Sequence, residues 1–208
     1  MTDVARSTDR IVVFDLGGVV CRWLPDRRSV ALAELCGLPP ATIDQLVFES
    51  GFDDAGERGR FTLAEFTEQL AAMLGLPIAP DTDDALRSAW ATAYEPATSV
   101  LRLVRSLATP TALLTNNGPL MEAAVTAELS EVGDAFDHLV FSYRLGAAKP
   151  DPEAFERAGS HLCVTAEQVV FFDDSADNVH AARVAGWDAH LFTTVLDAQA
   201  LLRHLGAR

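Results

Sequence analysis

Short apolar runs recur along this chain and alternate, in its second half, with segments of helical period. The runs are four or five residues long and rich in Val, Ile, Leu and Phe, as in buried strands. They cover 11–14, 111–115, 138–142 and 169–172, with a weaker fifth run at 189–193. Helical spacing covers 119–129, 152–162, 176–185 and 195–205. Apolar strands that alternate with helices are typical of a parallel sheet covered on both faces, so the pattern predicts an α/β fold.

The stretch from about 21 to 95 breaks this alternation. It has helical patterns and no convincing strand, and Gly-Leu-Pro segments divide it as turns. The helical patterns cover 26–36, 41–49, 62–74 and 81–94. Thr62 followed by Glu65 forms a capping-box pattern that predicts a helix start. These helices are inserted after the first strand, and we expect them to cover a crevice at the sheet edge. The alternative is that they form a large connection with only a structural role.

Polar residues follow four of the predicted strands at the point where each strand ends. They are Asp15, Thr115 with Asn116, Ser142, and Asp173 with Asp174. Ligands of open α/β sheets bind outside the carboxyl ends of the strands. We therefore expect these polar groups to face one crevice.

Composition and charge narrow the classes of partner. Hydrophobic residues make up 49% and charged residues 22% of the 208 residues, as in an ordinary globular protein. The formal net charge of −14 gives a surface that repels nucleic-acid backbones and anionic membranes. No apolar run approaches the roughly 20 residues that span a bilayer. We therefore expect no nucleic-acid partner and no membrane partner.

The N-terminus and the cysteines favour a cytoplasmic protein. The first ten residues, MTDVARSTDR, have no apolar segment behind their charges, unlike a secretory signal. Cys21, Cys36 and Cys163 are an odd number of cysteines without the spacing of a metal site. We interpret them as free thiols in a reducing compartment.

Lys149 is the single lysine in a chain with 16 basic residues. An ammonium and a guanidinium differ in shape and hydration, so this position favours an ammonium, unless Lys149 is merely a chance exception in an arginine-rich chain. Pro150 disfavours helical backbone at the lysine, and Pro152 suits the first turn of the next helix. We expect Lys149 to lie at the same sheet edge as the other polar groups.

Two further segments carry residues suited to phosphate chemistry. Asp15 is followed by Gly17 and Gly18. A carboxylate there can act as nucleophile or metal ligand, and the glycines allow the backbone to approach an oxyanion closely. Thr115 and Asn116 offer a hydroxyl and an amide at the start of a helix, where they form either an anion cradle or an ordinary helix cap.

Asp173 and Asp174 are adjacent carboxylates directly after a buried strand. Their mutual repulsion and their loss of hydration both raise the cost of ionisation, and a hard cation relieves both. One of the two can alternatively cap the helix that begins near Ser175. The pair therefore indicates a metal site, and one of the two carboxylates is expected to cap the helix as well.

In this order, Asp15, Thr115, Lys149 and the pair Asp173–Asp174 resemble the motifs of the haloacid dehalogenase superfamily of aspartate-nucleophile phosphatases. The resemblance covers nearly the whole chain. It implies a hydrolase in which Mg²⁺ assists attack on a phosphate ester.

The same resemblance implies the domain organisation. Residues 1–20 and 96–208 would form a Rossmann-like parallel sheet core, and 21–95 would form an inserted α-helical cap. In this family the cap segment that faces the active site corresponds to the sequence FDDAGERG, so Arg58 within it is a candidate for substrate binding.

The resemblance also implies a role for each motif residue. Asp15 would attack phosphorus to form an aspartyl-phosphate. Thr115 and the backbone at Gly18 and Asn116 would hold the phosphoryl oxygens, and Lys149 would neutralise charge on Asp15 and the phosphate. The implied Mg²⁺ ligands are Asp15, the Gly17 carbonyl, Asp174, and Asp173 directly or through water. The metal would act as a Lewis acid on the phosphoryl group.

Gly17 departs from the family pattern, because most members have a second Asp at this position. That Asp protonates the leaving oxygen, a function that contributes roughly 10²–10⁴-fold. Some phosphatases of the superfamily share the glycine. A substrate with a good leaving group could compensate, and so could a cap carboxylate. The candidates are Asp53, Asp54 and Glu57.

The sequence therefore predicts a Mg²⁺-dependent phosphatase of a small phosphorylated metabolite, with sugar phosphates as one candidate class. A haloacid dehalogenase is the nearest alternative enzyme, although its members use no metal and Asp173–Asp174 would fit it poorly. A non-catalytic binding relative is the alternative from another class. The substrate and the choice between monomer and homodimer stay open.

Overall fold

The computed structural model describes residues 10–206 and contains a five-stranded sheet and a two-stranded ribbon. Segment 1–9, which includes most of the N-terminus interpreted above, and residues 207–208 lie outside the described part of the chain. The strands are β1 (Ile11–Phe14), β2 (Cys21–Trp23), β3 (Tyr94–Pro96), β4 (Thr111–Thr115), β5 (His138–Phe141), β6 (Val169–Asp173) and β7 (Asp188–Leu191).

The five-stranded sheet has the order β5-β4-β1-β6-β7, and every neighbouring pair in it is parallel. Strand β1 lies at the centre, between β4 and β6. The chain therefore leaves these three strands at the same edge of the sheet, and the residues that follow them become neighbours. The predicted α/β class with a parallel, Rossmann-like sheet is confirmed.

Helices cover both faces of this sheet and fill the inserted segment. They are α1 (Pro25–Cys36), α2 (Pro40–Ile43), α3 (Phe52–Glu57), α4 (Leu63–Met73), α5 (Pro80–Ala91), α6 (Thr98–Ser106), α7 (Pro119–Ala127), α8 (Ser130–Gly133), α9 (Ser142–Leu145), α10 (Pro152–His161), α11 (Ala176–Val184) and α12 (Val195–His204). A π-helix, Asp44–Glu49, continues α2. In residues 10–206, no helix is long and apolar enough to cross a membrane.

The prediction that 21–95 contains no strand is wrong. Strands β2 and β3 form a two-stranded antiparallel ribbon where the chain enters and leaves the inserted helices, with Trp23 opposite Tyr94. Their rings lie 4.8 Å apart between centroids. Each strand has three residues, too few to show the alternation by which a strand is recognised. The division into a core domain and a cap domain stays a prediction.

The buried side chains form two clusters, one on each face of the sheet. Ile11 and Val13 of β1 point to the face covered by α10 and α11, and Val12 and Phe14 point to the opposite face. On that second face the apolar cluster continues without interruption into the inserted helices, and it includes Phe66 of α4 and Trp90 of α5 among its buried residues. The insertion thus shares one apolar core with this face of the sheet.

Candidate active site

Asp15 lies at the carboxyl end of the central strand, where its backbone N–H continues the ladder by donating to the Phe172 carbonyl at 2.9 Å. Lys149 reaches it from the loop before α10. The Lys149 ammonium donates to Asp15 Oδ1 at 2.6 Å, to Asp173 Oδ2 at 2.7 Å and to the Leu114 carbonyl at 2.9 Å. All three of its donors are used, and the side chain is buried. A planar guanidinium does not match this three-way arrangement.

Asn116 holds the backbone of Lys149 in place. Its side-chain Nδ2 donates to the Lys149 carbonyl at 2.7 Å, and its Oδ1 accepts from the Lys149 N–H at 2.8 Å. This pair of hydrogen bonds joins the loop after β4 to the loop before α10. The side chain of Asn116 therefore positions the ammonium, in addition to lining the cavity described below.

The two carboxylates after β6 differ in their surroundings. Asp173 is completely buried and accepts from Lys149, from the Ser175 N–H at 2.8 Å and from Asn178 Nδ2 at 3.0 Å and 3.1 Å. Asp174 is exposed at the edge of the site. Carboxylate oxygens of Asp15, Asp173 and Asp174 lie within 4.8 Å of one another. Such a set of oxygen donors suits a hard divalent cation.

Burial and repulsion make this acidic cluster costly to ionise. The pKa of Asp15 is raised to about 6, because burial outweighs the opposing charge of Lys149 and the charge of Asp173 adds a smaller rise. Burial and the charge of Asp173 also raise the pKa of Asp174. Burial alone would lower the pKa of Lys149, but Asp15 and Asp173 outweigh it and raise that pKa. Three carboxylates and one ammonium leave a charge of −2, which a divalent cation would balance.

Gly18 is required by its backbone and by its neighbour. Its φ is +77°, and a Cβ built there would lie 2.0 Å from Asp174 Oδ2. Its N–H donates to the Cys21 carbonyl at 2.8 Å, so this amide is already engaged within the turn. The structure places Gly18 beside Asp174, whereas the cavity is lined by Gly17. Its expected contact with substrate stays a prediction.

Gly17 has no such requirement. A Cβ built on it would meet Tyr94 Cε1 at 3.6 Å and Trp23 Cβ at 3.8 Å, which are ordinary van der Waals contacts. The backbone there is not in the left-handed region. The position is therefore a glycine without a steric reason, and the space for a side chain opens toward the cavity that Gly17 lines.

Asn117 is a site residue that the sequence reasoning missed. Its Nδ2 donates to Thr115 Oγ1 at 2.8 Å and to the Tyr94 hydroxyl at 3.0 Å. Its backbone N–H donates to Ser142 Oγ at 3.0 Å, and Ser142 in turn donates to the Glu57 carbonyl at 2.7 Å. The buried amide thus fixes Thr115 and connects it to α3. The adjacent asparagines in the sequence were the only indication of it.

One cavity of about 240 Å³ joins the strand ends to the insertion. It is lined by Asp15, Gly17, Trp23, Arg28, Asp53, Glu57, Tyr94, Thr115, Asn116, Asn117, Lys149, Asp174 and Asn178. The strand-end residues predicted from the sequence are therefore together, and two of the three cap carboxylates reach them. Arg58 does not line this cavity, because its Nε pairs with Asp54 at 3.1 Å on the surface.

Glu57 is one of the two carboxylates that the insertion contributes to the cavity. Its pKa is raised to about 8, chiefly by burial and then by the charge of Asp53, against the opposing effect of Arg28. Burial likewise raises the pKa of Asp53. Glu57 therefore holds its proton at neutral pH and can donate a hydrogen bond.

The parallel sheet with an Asp–Lys–Asp cluster at its carboxyl edge, beside a cavity that the insertion also lines, defines an α/β enzyme. Residues 10–186 match the family described as haloacid dehalogenase-like hydrolase. The chain therefore belongs to the haloacid dehalogenase-like hydrolase family.

Several relatives are named phosphatases, and two of them illustrate the similarity. One, from Mycobacterium tuberculosis, is 31% identical over 191 residues, which cover 86% of this chain and 85% of the relative. The other is the D-ribitol-5-phosphate phosphatase of Bacteroides thetaiotaomicron, 29% identical over 188 residues that cover 85% of this chain and 88% of the relative.

Solved structures show the same fold. A family enzyme of Bacteroides thetaiotaomicron, in complex with magnesium and inorganic phosphate, has a TM-score of 0.74 at 23% identity, covering 93% of this chain and 99% of that one. The L-2-haloacid dehalogenase of Xanthobacter autotrophicus has a TM-score of 0.60 at 20% identity, covering 93% of this chain and 82% of that one. The second resemblance is the weaker one.

Proposed function

We propose that this chain is a Mg²⁺-dependent phosphatase that hydrolyses the phosphate monoester of a small metabolite through an aspartyl-phosphate on Asp15. The observation that carries the proposal is the cluster in which Lys149 bridges Asp15 and Asp173 while Asp174 completes a set of three carboxylates. Two relatives named phosphatases, and a similar structure that holds magnesium and phosphate, support it.

Asp15, Thr115 and Lys149 would each have a different role in such a reaction. Asp15 would attack phosphorus, since its carboxylate lines the cavity and Lys149 stabilises its ionised form. The Thr115 hydroxyl would bind a phosphoryl oxygen, held in place by Asn117. The Lys149 ammonium would offset the negative charge that gathers on Asp15 and the phosphate.

The acidic cluster fits a magnesium ion. Asp15 and Asp174 would bind it together with the Gly17 carbonyl, and Asp173, already held by Lys149, would bind directly or through water. Mg²⁺ would supply Lewis-acid polarisation of the phosphoryl oxygen. The uncompensated charge of the three carboxylates supports a divalent ion, because one ammonium cannot balance it.

A dehalogenase is the second candidate, because the structure is similar to the Xanthobacter enzyme. The three carboxylates argue against it. A metal-free enzyme would have to keep Asp174 beside the buried Asp173 without a compensating cation. A non-catalytic relative is disfavoured because Lys149 and the acidic cluster are all in place. We further propose a cytoplasmic monomer or homodimer whose residues 21–95 act as the cap and whose partner is a small phosphorylated metabolite, without nucleic-acid or membrane partners.

The proposal is tested with a panel of phosphate monoesters, including p-nitrophenyl phosphate and sugar phosphates, assayed for phosphate release with Mg²⁺ and with EDTA. A parallel assay measures halide release from 2-chloropropionate without metal. We expect phosphate release that stops in EDTA. Halide release that persists in EDTA would establish the dehalogenase instead, and inactivity in both assays would favour the binding protein.

A further inference from the structure

Arg28 of α1 lies in an aromatic cage on the insertion side of the cavity. It is only 3% exposed. Its guanidinium carbon lies 4.3 Å from the ring centroid of Trp90 and 5.1 Å from that of Trp23, with Tyr94 and Phe48 within 5.7 Å. These contacts hold the guanidinium in one place by cation–π attraction.

The hydrogen-bonding capacity of Arg28 is largely unused. Its Nε and Nη2 are buried and have no hydrogen-bond partner among the residues that the structure describes. Its Nη1 lies 3.8 Å from Asp53 Oδ2, an ion pair beyond hydrogen-bond distance. A buried donor without an acceptor lowers the stability of the folded state. Arg28 lines the same cavity as Asp15 and Lys149. A bound ligand that brings acceptors would remove the cost.

The charges around Arg28 indicate what kind of hydrogen-bond acceptor the ligand would bring. Asp53 offsets the charge of Arg28, and Glu57 adds a second carboxyl group to the same wall. With Glu57 protonated and a divalent ion at the acidic cluster, the charge of this wall is that of the Arg28–Asp53 pair, which is close to neutral. A second anionic group on the ligand would therefore be repelled by Asp53 without meeting any net positive charge. Neutral hydroxyl groups accept from Arg28 and donate to Asp53 without this penalty.

We propose that Arg28, Asp53 and Glu57 form a subsite for the hydroxyl groups of an uncharged polyol or sugar portion of the phosphate ester. Glu57, protonated at neutral pH, can donate to such a hydroxyl as well as accept. The proposal rests on the proposed function and deepens it, because it selects polyol and sugar monophosphates over esters that carry a carboxylate. The relatives include both kinds: a D-ribitol-5-phosphate phosphatase and a phosphoglycolate phosphatase.

The test compares Arg28→Met with Arg27→Met. Met keeps an apolar chain inside the aromatic cage and removes the donors. Arg27 is its neighbour on α1 but pairs with Glu95 at the surface, so it serves as the matched control. Substrates are D-ribitol 5-phosphate, 2-phosphoglycolate and p-nitrophenyl phosphate, each with Mg²⁺.

We expect the wild type to prefer ribitol 5-phosphate to phosphoglycolate. Arg28→Met should raise KM for ribitol 5-phosphate by roughly tenfold to a hundredfold, the size of lost hydrogen bonds to a charged group, and should raise KM for p-nitrophenyl phosphate, which has no hydroxyl group for Arg28, by a clearly smaller factor. Arg27→Met should resemble the wild type with all three. An equal loss on ribitol 5-phosphate and p-nitrophenyl phosphate would show a structural role and overturn the proposal, and so would a wild-type preference for phosphoglycolate.

A binding measurement separates this proposal from the proposed function. Calorimetric titration of Asp15→Asn, with and without Arg28→Met, measures the affinity for ribitol 5-phosphate and for phosphoglycolate without turnover. Preference for the polyol ester that depends on Arg28 supports the subsite even if no hydrolysis is found. Equal affinity for both esters, or affinity unaffected by Arg28→Met, contradicts it. Thermal unfolding of each variant confirms that it is folded.

Discussion

At residue 17 the chain has a glycine that its own packing does not demand. A Cβ there makes ordinary contacts with Tyr94 and Trp23, and the backbone is available to any residue. Since no side chain at 17 can protonate the leaving oxygen, more negative charge builds up on that oxygen as the bond breaks. Hydrolysis should therefore depend steeply on the pKa of the leaving alcohol, so that p-nitrophenyl phosphate reacts faster than simple alkyl esters.

Gly17→Asp should flatten this dependence and raise the rate for alkyl esters by part of the roughly 10²–10⁴-fold of a general acid. The measurement is a plot of log kcat/KM against leaving-group pKa for both proteins. A wild-type plot without slope, under conditions where chemistry limits turnover, would mean that another group is the acid. Glu57, which lines the cavity and holds a proton, would then be the residue to replace.

Glu57 also predicts a pH dependence of stability. Its ordinary pKa of 4.5 rises to about 8 in the folded chain, so the native state holds a proton that the unfolded chain releases. Its contribution is fully present below pH 4.5 and is lost as the pH rises toward 8. The charged groups that affect its pKa are Asp53, Arg28, Asp54 and Arg58, and burial is the largest cause.

Glu57→Gln should therefore lose less stability than the wild type between pH 5 and pH 8, as measured by urea unfolding in Mg²⁺-free buffer. Asp15, with its pKa raised to about 6, contributes in the same direction in both proteins, so only the difference between them reports on Glu57. Glu68→Gln, which removes an exposed carboxylate of α4 that is not among the groups affecting the pKa of Glu57, is the control. Parallel curves for the wild type and Glu57→Gln would contradict the assignment.

Among the elements, the loop after β4 and the start of α9 are joined to α3 by one hydroxyl group. Ser142 Oγ accepts from the Asn117 N–H and donates to the Glu57 carbonyl. Removing it leaves a buried N–H without its acceptor, so Ser142→Ala should lower the free energy of unfolding by about 1–3 kcal/mol. Ser160→Ala, whose hydroxyl only bonds back to Glu156 on the surface of α10, should cost less. Equal effects in urea unfolding would show that the bridge contributes nothing.

The loop after β6 should determine metal affinity. Asp174 is the exposed member of the acidic cluster, and a hard cation here has few protein ligands. Asp174→Ala should weaken Mg²⁺ binding sharply in calorimetric titration. Asp177→Ala, three residues further along in the first turn of α11, should bind like the wild type. Unchanged affinity in Asp174→Ala would remove it from the ligand set.

The elements differ in how well their sequence predicts them. The four strongest strand predictions are confirmed to within one residue, because buried parallel strands are nearly all apolar and have abrupt ends. Strands β2 and β3 were missed because three residues carry no period. Helix α3 was missed because Gly56 interrupts it and its six residues are mostly acidic or small.

Across the whole molecule, the site residues at strand ends could be predicted from the sequence. Asp53 and Glu57 of the insertion were named only through the family resemblance, and Arg28 was not predicted. Asp15, Lys149 and Asp173 lie together because parallel strands end at one edge, a rule that a sequence can use. Arg28 comes from a helix, and only the packing of Trp90 and Trp23 around it brings it to the cavity. No local pattern distinguishes it from Arg27 beside it, which lies on the surface.

The overall charge of −14 makes the local cations of the cavity important for binding a phosphate. Lys149 and Arg28 are the basic side chains among the residues that line it. In the proposed reaction, Lys149 would offset the charge of the phosphoryl group, and Arg28 would bind the rest of the ester. A divalent ion at the acidic cluster would supply further positive charge, which explains how so acidic a protein can accept a dianionic group.

The central claim is that Asp15 is the nucleophile of a phosphatase, and turnover by Asp15→Asn tests it most directly. Asn keeps the volume of the side chain and removes its charge and nucleophilicity. With Mg²⁺ and p-nitrophenyl phosphate, we predict a loss of kcat on the order of 10⁴-fold while thermal unfolding shows a folded protein. A folded Asp15→Asn variant that hydrolyses the ester at a rate near that of the wild type would contradict the account.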